Sequence, residues 1–400
     1  MSEPCNVILK RGETERIAAG HPWVHARNVD RLTREANDGD VVQAKDHRNR
    51  FLGIGFYNSK SKIQIRLLGR ERRPIDRAFF HQRIEAALAH RKRVMPNAQA
   101  FRVVNSESDF LSGLIIDKYG DSVVLQTSSL GMDIRKDDIL AVIKDLLNPS
   151  TIVERNDMGA RKFEGLEDAN GVLEGTLDGP VTVELNGLSF EIDLLGGHKT
   201  GAYLDQQVNY QAVADLIATY PDANVLDCFT FHGGFALHAA RAGAKTVLGL
   251  DQSGDVLAVA RKNAAANDLD KNCKFDECNV FDWFKEQSKV KDAELYDCII
   301  LDPPSFTRNR ASVGDALRGY KEIHVRAMKM LKPGGLLATF CCSHHVDAQL
   351  FHDVIMDAAF DTRRALRRVA TYAQSPDHPI IPAIQETEYL KGFAFQVLKQ

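Results

Sequence analysis

In the second half of the chain, successive apolar runs end in residues able to do chemistry. Val225-Leu226 leads to Asp227, Thr246 to Leu250 leads to Asp251, Tyr296 to Leu301 leads to Asp302-Pro303-Pro304-Ser305-Phe306, and Leu336 to Phe340 leads to Cys341-Cys342-Ser343. Cys273 to Phe275 runs toward Asn279-Val280-Phe281-Asp282, which sets Asp282 at a further strand end. Ligands of an open α/β sheet bind outside the carboxyl ends of its strands, so such a fold would gather these carboxylates and thiols around one site. Asp251 is suited to accept both hydroxyls of a ribose. The two prolines after Asp302 stiffen the backbone and leave carbonyls without competing N–H groups, an arrangement suited to a planar base.

The elements that must hold these residues are legible around them. Val225 to Asp251 encodes a strand, a glycine turn, a helix and a second strand. Gly233-Gly234 lets the chain turn where a side chain would block a ligand, Phe235 to Ala242 is a helix rich in Ala and Leu, and Gly243 suits its C-cap. The turn, TFHGGF, is not GxGxxG, so by itself it does not separate a nucleotide cradle from an ordinary α/β turn. The rhythm continues with helices over Val256 to Asn267 and Gly319 to Leu331, a turn at Gly334-Gly335, and a last strand over Phe393 to Leu398. Upstream, Val181 to Glu184 and Ser189 to Ile192 form a hairpin through Asn186-Gly187. The polar, glycine-rich stretch Gly196 to Gln207 follows, expected to be a lid over the cradle more than a linker, with Tyr203 and Gln206 as contacts.

Four hundred residues exceed one compact core, so two or three domains are expected. Residues 1–75 alternate short β-type runs with polar turns (Val41 to Ala44, Phe51 to Tyr57, Ile63 to Leu68), the pattern of a small β-barrel. Residues 76–178 read as an α+β domain that opens with a helix carrying Phe79, Phe80, Ile84, Ala87 and Leu88 on one face and stopped by Pro96. Arg91-Lys92-Arg93 near its end complements the helix dipole or adds to an RNA face; the sequence does not separate the two. A hairpin about Asp117 to Asp121 and a helix over Ile139 to Leu147 complete this segment. It shows no catalytic constellation, which leaves a spacer or a second substrate-contact domain. Residues 179–400 form the α/β domain, entered through the hairpin at 179–193.

A net charge of −3 hides an asymmetry: residues 1–100 hold 20 Lys and Arg against 11 Asp and Glu, a formal +9 that leaves −12 for the rest. A basic amino-terminal module meets a polyanion, or carries ordinary surface charge. No run has signal-peptide character or approaches the about 18 apolar residues of a membrane span, so a cytoplasmic protein without a membrane partner is expected. The seven cysteines show no CxxC pair or regular framework, which argues against a metal site and structural disulfides. Cys228, Cys273, Cys278 and Cys298 are expected to be small buried hydrophobes.

Gly20-His21-Pro22-Trp23-Val24, with GDVVQAKDHRNRFLGIGFYN after it, resembles the PUA domain, a compact RNA-binding module. In such a module Lys10, Arg11, Arg16, Arg27, Lys60, Lys62 and Arg66 are available to neutralise phosphates, while Trp23 is expected in the core. From Gly196 onward the chain resembles the class I S-adenosylmethionine-dependent methyltransferases, with a Rossmann-like sheet. As a whole it resembles the bacterial RlmI-type enzymes, which methylate C5 of a cytosine in 23S ribosomal RNA. The resemblance implies S-adenosyl-L-methionine as cofactor and ribosomal RNA as partner, and leaves a homodimer open.

The same resemblance distributes roles. Asp227 and the Phe229 to Gly234 turn, Gly233 included, match the motif lying against the methionine part; Asp251 matches the ribose carboxylate, and Asp282 the residue near the adenine amino group. Asp302 to Phe306 match the family's DPPxF, with Asp302 bordering both cofactor and base, and Pro303, Pro304 and Phe306 facing the substrate. Thr339 to Ser343 match TFSCS, so Cys342 aligns with the nucleophile and Cys341 replaces a serine. Cytosine C5 is too weak a nucleophile to take a methyl directly, so a thiolate first adds to C6, while Asp302 holds N3 and the amino group. The rivals are a guanine-N2 RNA methyltransferase, which needs no thiol, and a non-catalytic RNA-binding factor of ribosome assembly.

Overall fold

The computed structural model describes residues 4–197, 200–291, 295–307 and 309–399. His198 and Lys199 of the expected lid lie outside the described residues. The chain divides into two compact units. One comprises Met1–Val183, Ile192–Leu204 and Pro376–Glu388; the other comprises Glu184–Glu191, Asp205–Ser375 and Tyr389–Gln400.

The first unit opens with a six-stranded sheet built from Cys5–Leu9, Trp23–His25, Val29–Leu32, Val41–Lys45, Phe51–Tyr57 and Ile63–Gly69. Its inward positions, Val7, Leu9, Val24, Val42, Ala44 and Ile65, form one apolar core. The helix Arg77–Val94 starts where the Asp76 carboxylate accepts the Phe79 amide. Its Phe79, Phe80, Ile84 and Leu88 pack into a second core with Val103, Ile116, Val123 and Ile152, residues of a five-stranded sheet. Its strands, in spatial order, are Ala169–Glu174, Thr151–Asn156, Ser122–Thr127, Leu114–Tyr119 and Ala100–Asn105.

The basic trio at the helix end splits. Lys92 and Arg93 are exposed, but Arg91 is wholly buried: it pairs with Asp109 and donates to the carbonyls of Arg102 and Asp377. Trp23, expected in the core, is instead half-buried and belongs to neither apolar core, its indole N–H donated to Glu107 at 2.9 Å.

The second unit holds a seven-stranded sheet in the order Cys273–Glu277, Thr246–Asp251, Asn224–Cys228, Tyr296–Leu301, Leu331–Cys341, Lys391–Lys399, Arg364–Ala373. The first five run parallel, and Lys391–Lys399 is antiparallel to both of its neighbours. Helices cover both faces of a parallel sheet, which is why its strands read as near-continuous apolar runs. Leu226, Leu250, Ile299, Leu301, Tyr320, Ile323, Leu337 and Phe351 meet in one core, together with Cys228 and Cys341.

One expectation changes here, and one strand had not been foreseen. Asp282 is not at a strand end: the strand stops at Glu277, and Asp282 lies exposed in the first turn of the helix Val280–Gln287. Asn279 starts that helix, its side-chain oxygen accepting the amides of Phe281 and Asp282, so a strong N-cap outweighs the apolar Val280-Phe281 pair. The strand Arg364–Ala373 escaped the sequence reading because it is an edge strand. Its exposed Arg367 and Arg368 interrupt any alternation, and charge on an edge discourages pairing with another chain.

Candidate active site

The turn after Asn224–Cys228 is wound around one buried carboxylate. Asp227 Oδ2 accepts the Thr230 hydroxyl at 2.6 Å and the Ala236 amide at 3.0 Å. The Thr230 amide reaches the Leu250 carbonyl and the Phe231 amide reaches Asp251 Oδ2, tying the turn to the next strand. Phe229 and Phe231 are held at φ +65° and +51°, a left-handed conformation that bulky residues rarely adopt. The two glycines serve different needs. Gly233 takes φ +85°, whereas a Cβ on Gly234 would lie 2.5 Å from the Tyr210 ring, so the space freed at Gly234 admits a neighbouring side chain of the protein.

Burial pushes the Asp227 carboxyl up to about 7, helped by Asp251, against the pull of the Thr230 and Ala236 bonds. Asp251 is half-buried and accepts one amide on each oxygen, Ser253 on Oδ1 and Phe231 on Oδ2. Each oxygen keeps lone-pair capacity for a hydroxyl, which suits a ribose diol. Asp227 Oδ1 and Gln206 Nε2 are buried without a hydrogen-bond partner among the described residues. Buried polar atoms are nearly always satisfied in native proteins, so the residues present fit a polar ligand that completes them. Gln206 is otherwise fixed, its oxygen accepting Asn209 Nδ2 at 2.6 Å. Tyr203 is half-buried and belongs to the first unit. The stretch before it is anchored within that unit, Thr200 donating to Asp117 and the Ala202 amide to the Tyr119 hydroxyl.

The thiol end of the site follows from strand register. Leu301 lies opposite Thr339 in a parallel pair, so Asp302 and Cys342 leave adjacent strands at the same edge. Both are half-buried, and Cys342 Sγ is 4.0 Å from the Pro303 carbonyl oxygen. Pro303 is buried and Pro304 exposed; Phe306 is half-buried with its ring 4.6 Å from that of Tyr320.

Cys341 is wholly buried and donates to the Tyr320 hydroxyl at 3.3 Å. Tyr320 meets Ser343 Oγ at 3.0 Å, Ser343 meets Ser305 Oγ at 2.9 Å, and Ser305 donates to the Thr307 carbonyl. Lys391 Nζ holds the Ser343 carbonyl at 2.6 Å. Sequence reasoning gave none of Ser305, Tyr320, Ser343 and Lys391 a role. Ser305 and Ser343 stood inside the quoted motifs, while Tyr320 and Lys391 carried no local signal.

In the first unit, Lys10, Arg11 and Arg27 are exposed, and the Lys10 amide bonds the Asn28 carbonyl, which brings these three cations into one region. Burial and then the Arg27 charge hold the neighbouring His25 below the ordinary imidazole range. Arg66, by contrast, is engaged with Glu164 at 2.9 Å and Ser112 at 3.2 Å.

Fold and site together define a class I S-adenosylmethionine-dependent methyltransferase joined to a PUA-like domain. The family model of PUA-like domains matches residues 7–70, and that of S-adenosylmethionine-dependent methyltransferases matches residues 168–395. The chain belongs to the ribosomal RNA large subunit methyltransferase I family. It is 40% identical over 395 residues to the protein of that name from Alteromonas mediterranea, covering 98% of each chain. It is 36% identical over 398 residues to that of Vibrio vulnificus, covering 98% of this chain and 99% of the relative. A solved structure from Streptococcus mutans, described as an S-adenosylmethionine-dependent methyltransferase, shares the fold with a TM-score of 0.82 at 20% identity, over 98% of this chain and 99% of its own. A structure of equal TM-score and 22% identity, with the same coverage, is of a protein described as a methyltransferase complexed with S-adenosylhomocysteine.

Two outcomes follow from this geometry. Between the ordinary carboxylate value of 3.8 and about 7, folded Asp227 keeps a proton that the unfolded chain releases, so its contribution to stability falls as pH rises through that window. Asp227→Asn is expected to flatten this decline in urea unfolding midpoints measured between pH 4 and 8; an unaltered slope would assign it to other groups. Ser343→Ala strands the buried Tyr320 hydroxyl, whereas exposed Ser305 keeps its bond to the Thr307 carbonyl, a loss of about 1–3 kcal/mol in urea unfolding; a change below that range would mean that the Tyr320 hydroxyl finds another partner.

Proposed function

We propose that the protein methylates C5 of a cytosine in large-subunit ribosomal RNA, with Cys342 as nucleophile and Asp302 as the group that holds the base. The observation that carries this reading is a half-buried thiol at the carboxyl edge of the sheet, against the Pro303 carbonyl and on the strand next to the one that ends at Asp302. The names of the two relatives, both large-subunit ribosomal RNA methyltransferases, and the PUA-like match support ribosomal RNA as the substrate.

Bound in the cradle, S-adenosylmethionine supplies an electrophilic methyl group. The residues that would hold it are Asp251 for the ribose hydroxyls, Gln206 through its buried amide nitrogen, and the Asp227-centred turn. On the substrate side, the Cys342 thiolate forms a bond to C6 and the C5–C6 double bond opens, making C5 nucleophilic. Asp302 in its protonated form donates to N3 and accepts a hydrogen bond from the exocyclic amino group, so that the ring takes up the electron pair displaced when sulfur adds to C6. After methylation, the C5 proton passes to solvent water, its bonding pair re-forms the C5–C6 double bond, and the C6–sulfur bond breaks to release the Cys342 thiolate. Lys10, Arg11 and Arg27 meet RNA phosphates.

Mass-spectrometric mapping of ribosomal RNA from cells with and without the protein tests the reading directly. A missing 5-methylcytosine supports it, and a missing N2-methylguanine replaces it with the guanine reaction. For the purified enzyme, Cys342→Ser is expected to abolish methyl transfer while calorimetric binding of S-adenosylhomocysteine persists, and Cys341→Ser is expected to stay active. Activity lost only in Cys341→Ser would move the nucleophile by one residue; full activity in both variants would end the covalent mechanism.

A further inference from the structure

We propose that the first unit carries a subsite for one nucleotide of single-stranded RNA, with the base on Phe110 and the phosphate at Arg70 and Arg83. This rests on the reading of the protein as an RNA-modifying enzyme and adds a contact made outside the methyltransferase sheet.

The subsite is a cavity of about 240 Å³ whose lining includes the apolar Ile17, Pro22 and Leu67 together with Arg70, Arg83 and Phe110. It is smaller than the roughly 300–1,000 Å³ typical of pockets for drug-sized ligands, a size that suits a single nucleotide.

Phe110 is the residue that calls for an explanation. It ends the short 3-10 helix Ser106–Asp109 at φ +58° and ψ +30°, a capping position that favours glycine or asparagine. A bulky aromatic there is strained, and 42% of this one remains exposed, so neither backbone geometry nor burial accounts for it. Strain retained at the mouth of a cavity points to a ligand.

The two guanidinium groups of the cavity bond backbone carbonyls and rings instead of carboxylates. Arg83 lies between the Phe79 and Phe110 rings, 5.4 Å from each centroid, and donates to the Leu68 carbonyl. Arg70 donates to the carbonyls of Ile17 and Ala18. Neither guanidinium has a carboxylate within ion-pair distance among the described residues. Glu386, on the His21 side, is already engaged by Arg16 and His21. Its orientation is fixed: His21 Nδ1 accepts the Trp23 amide, so Nε2 carries the proton donated to Glu386. Burial and the Arg73 charge both press on the Arg83 guanidinium, with Glu71 opposing, and an arriving anion would relieve that pressure. An exposed aromatic face beside guanidinium groups that bond no carboxylate is the chemistry that recognises an unstacked base and its phosphate.

The test uses the full-length protein, a fluorescein-labelled single-stranded oligoribonucleotide of mixed sequence, and the same strand in a duplex, read by anisotropy at fixed salt. Phe110→Gly removes the left-handed strain, so its thermal midpoint is expected to match or exceed that of the parent while single-strand affinity falls roughly tenfold, the loss of one stacked base. Phe110→Tyr is expected to bind like the parent, since it keeps the ring. Unchanged affinity in Phe110→Gly, equal losses in both variants, or an equal loss for the duplex would overturn the subsite. Methyl transfer to ribosomal RNA by the parent protein, followed in parallel, distinguishes failure of the subsite from failure of the enzyme reading.

Discussion

One row of hydrogen bonds, from the Cys341 thiol through Tyr320, Ser343 and Ser305 to the Thr307 carbonyl, ties together the two strand ends that bear Asp302 and Cys342. Its direction follows from counting protons. Ser305 spends its only hydroxyl proton on the Thr307 carbonyl, so Ser343 must donate to Ser305, Tyr320 to Ser343, and the Cys341 thiol to Tyr320. Pairing between Tyr296–Leu301 and Leu331–Cys341 ends at Leu301 and Thr339, so side chains take over where the ladder stops. Lys391 completes the arrangement from the other neighbouring strand, where it pairs with Cys341 and clamps the Ser343 carbonyl. Cys341, Tyr320 and Ser343, the buried members of the row, lie where the dielectric is low and hydrogen bonds reinforce one another, so losing one of them leaves its buried neighbour unsatisfied.

The cofactor side is held by a different economy. Phe229 and Phe231 in the left-handed region each cost on the order of 1–3 kcal/mol, and such strain persists only where the surroundings over-determine the backbone. Here the Asp227 carboxylate, the Leu250 carbonyl and Asp251 all bind the same short turn. The turn is therefore fixed before any ligand arrives, and the Asp251 carboxylate is already oriented by two amides.

The parallel strands were legible in the sequence because burial on both faces makes them apolar throughout, and their ends marked Asp227, Asp251, Asp302 and Cys342 at once. The methyltransferase class and the PUA-like start were legible in their motifs. What escaped was decided by tertiary context. Asp282 was misplaced because a side-chain cap at Asn279 is a local contest between two structures that periodicity cannot arbitrate. Arg364–Ala373 was missed because an edge strand need not be apolar. Arg91 was read with Lys92 and Arg93 as complementing the helix dipole or adding to an RNA face, yet it is buried, bonded to Asp109 and to the Asp377 carbonyl, 286 residues further along the chain. Phe110 gave no signal, since its interest lies in a backbone angle.

The departure at Cys341, where the family pattern has serine, bears on which thiol is available to react. Successive side chains on a strand point to opposite faces. Cys341, the last residue of Leu331–Cys341, is turned into the core and wholly buried, with its proton directed at Tyr320. Cys342 lies one residue beyond, half-buried and against the Pro303 carbonyl. A serine at 341 would supply the same donor to Tyr320, so the exchange of hydroxyl for thiol preserves the hydrogen-bonded row and needs no second nucleophile to explain it. The reading that places the reactive sulfur at Cys342 thus rests on facing and burial as well as on the motif.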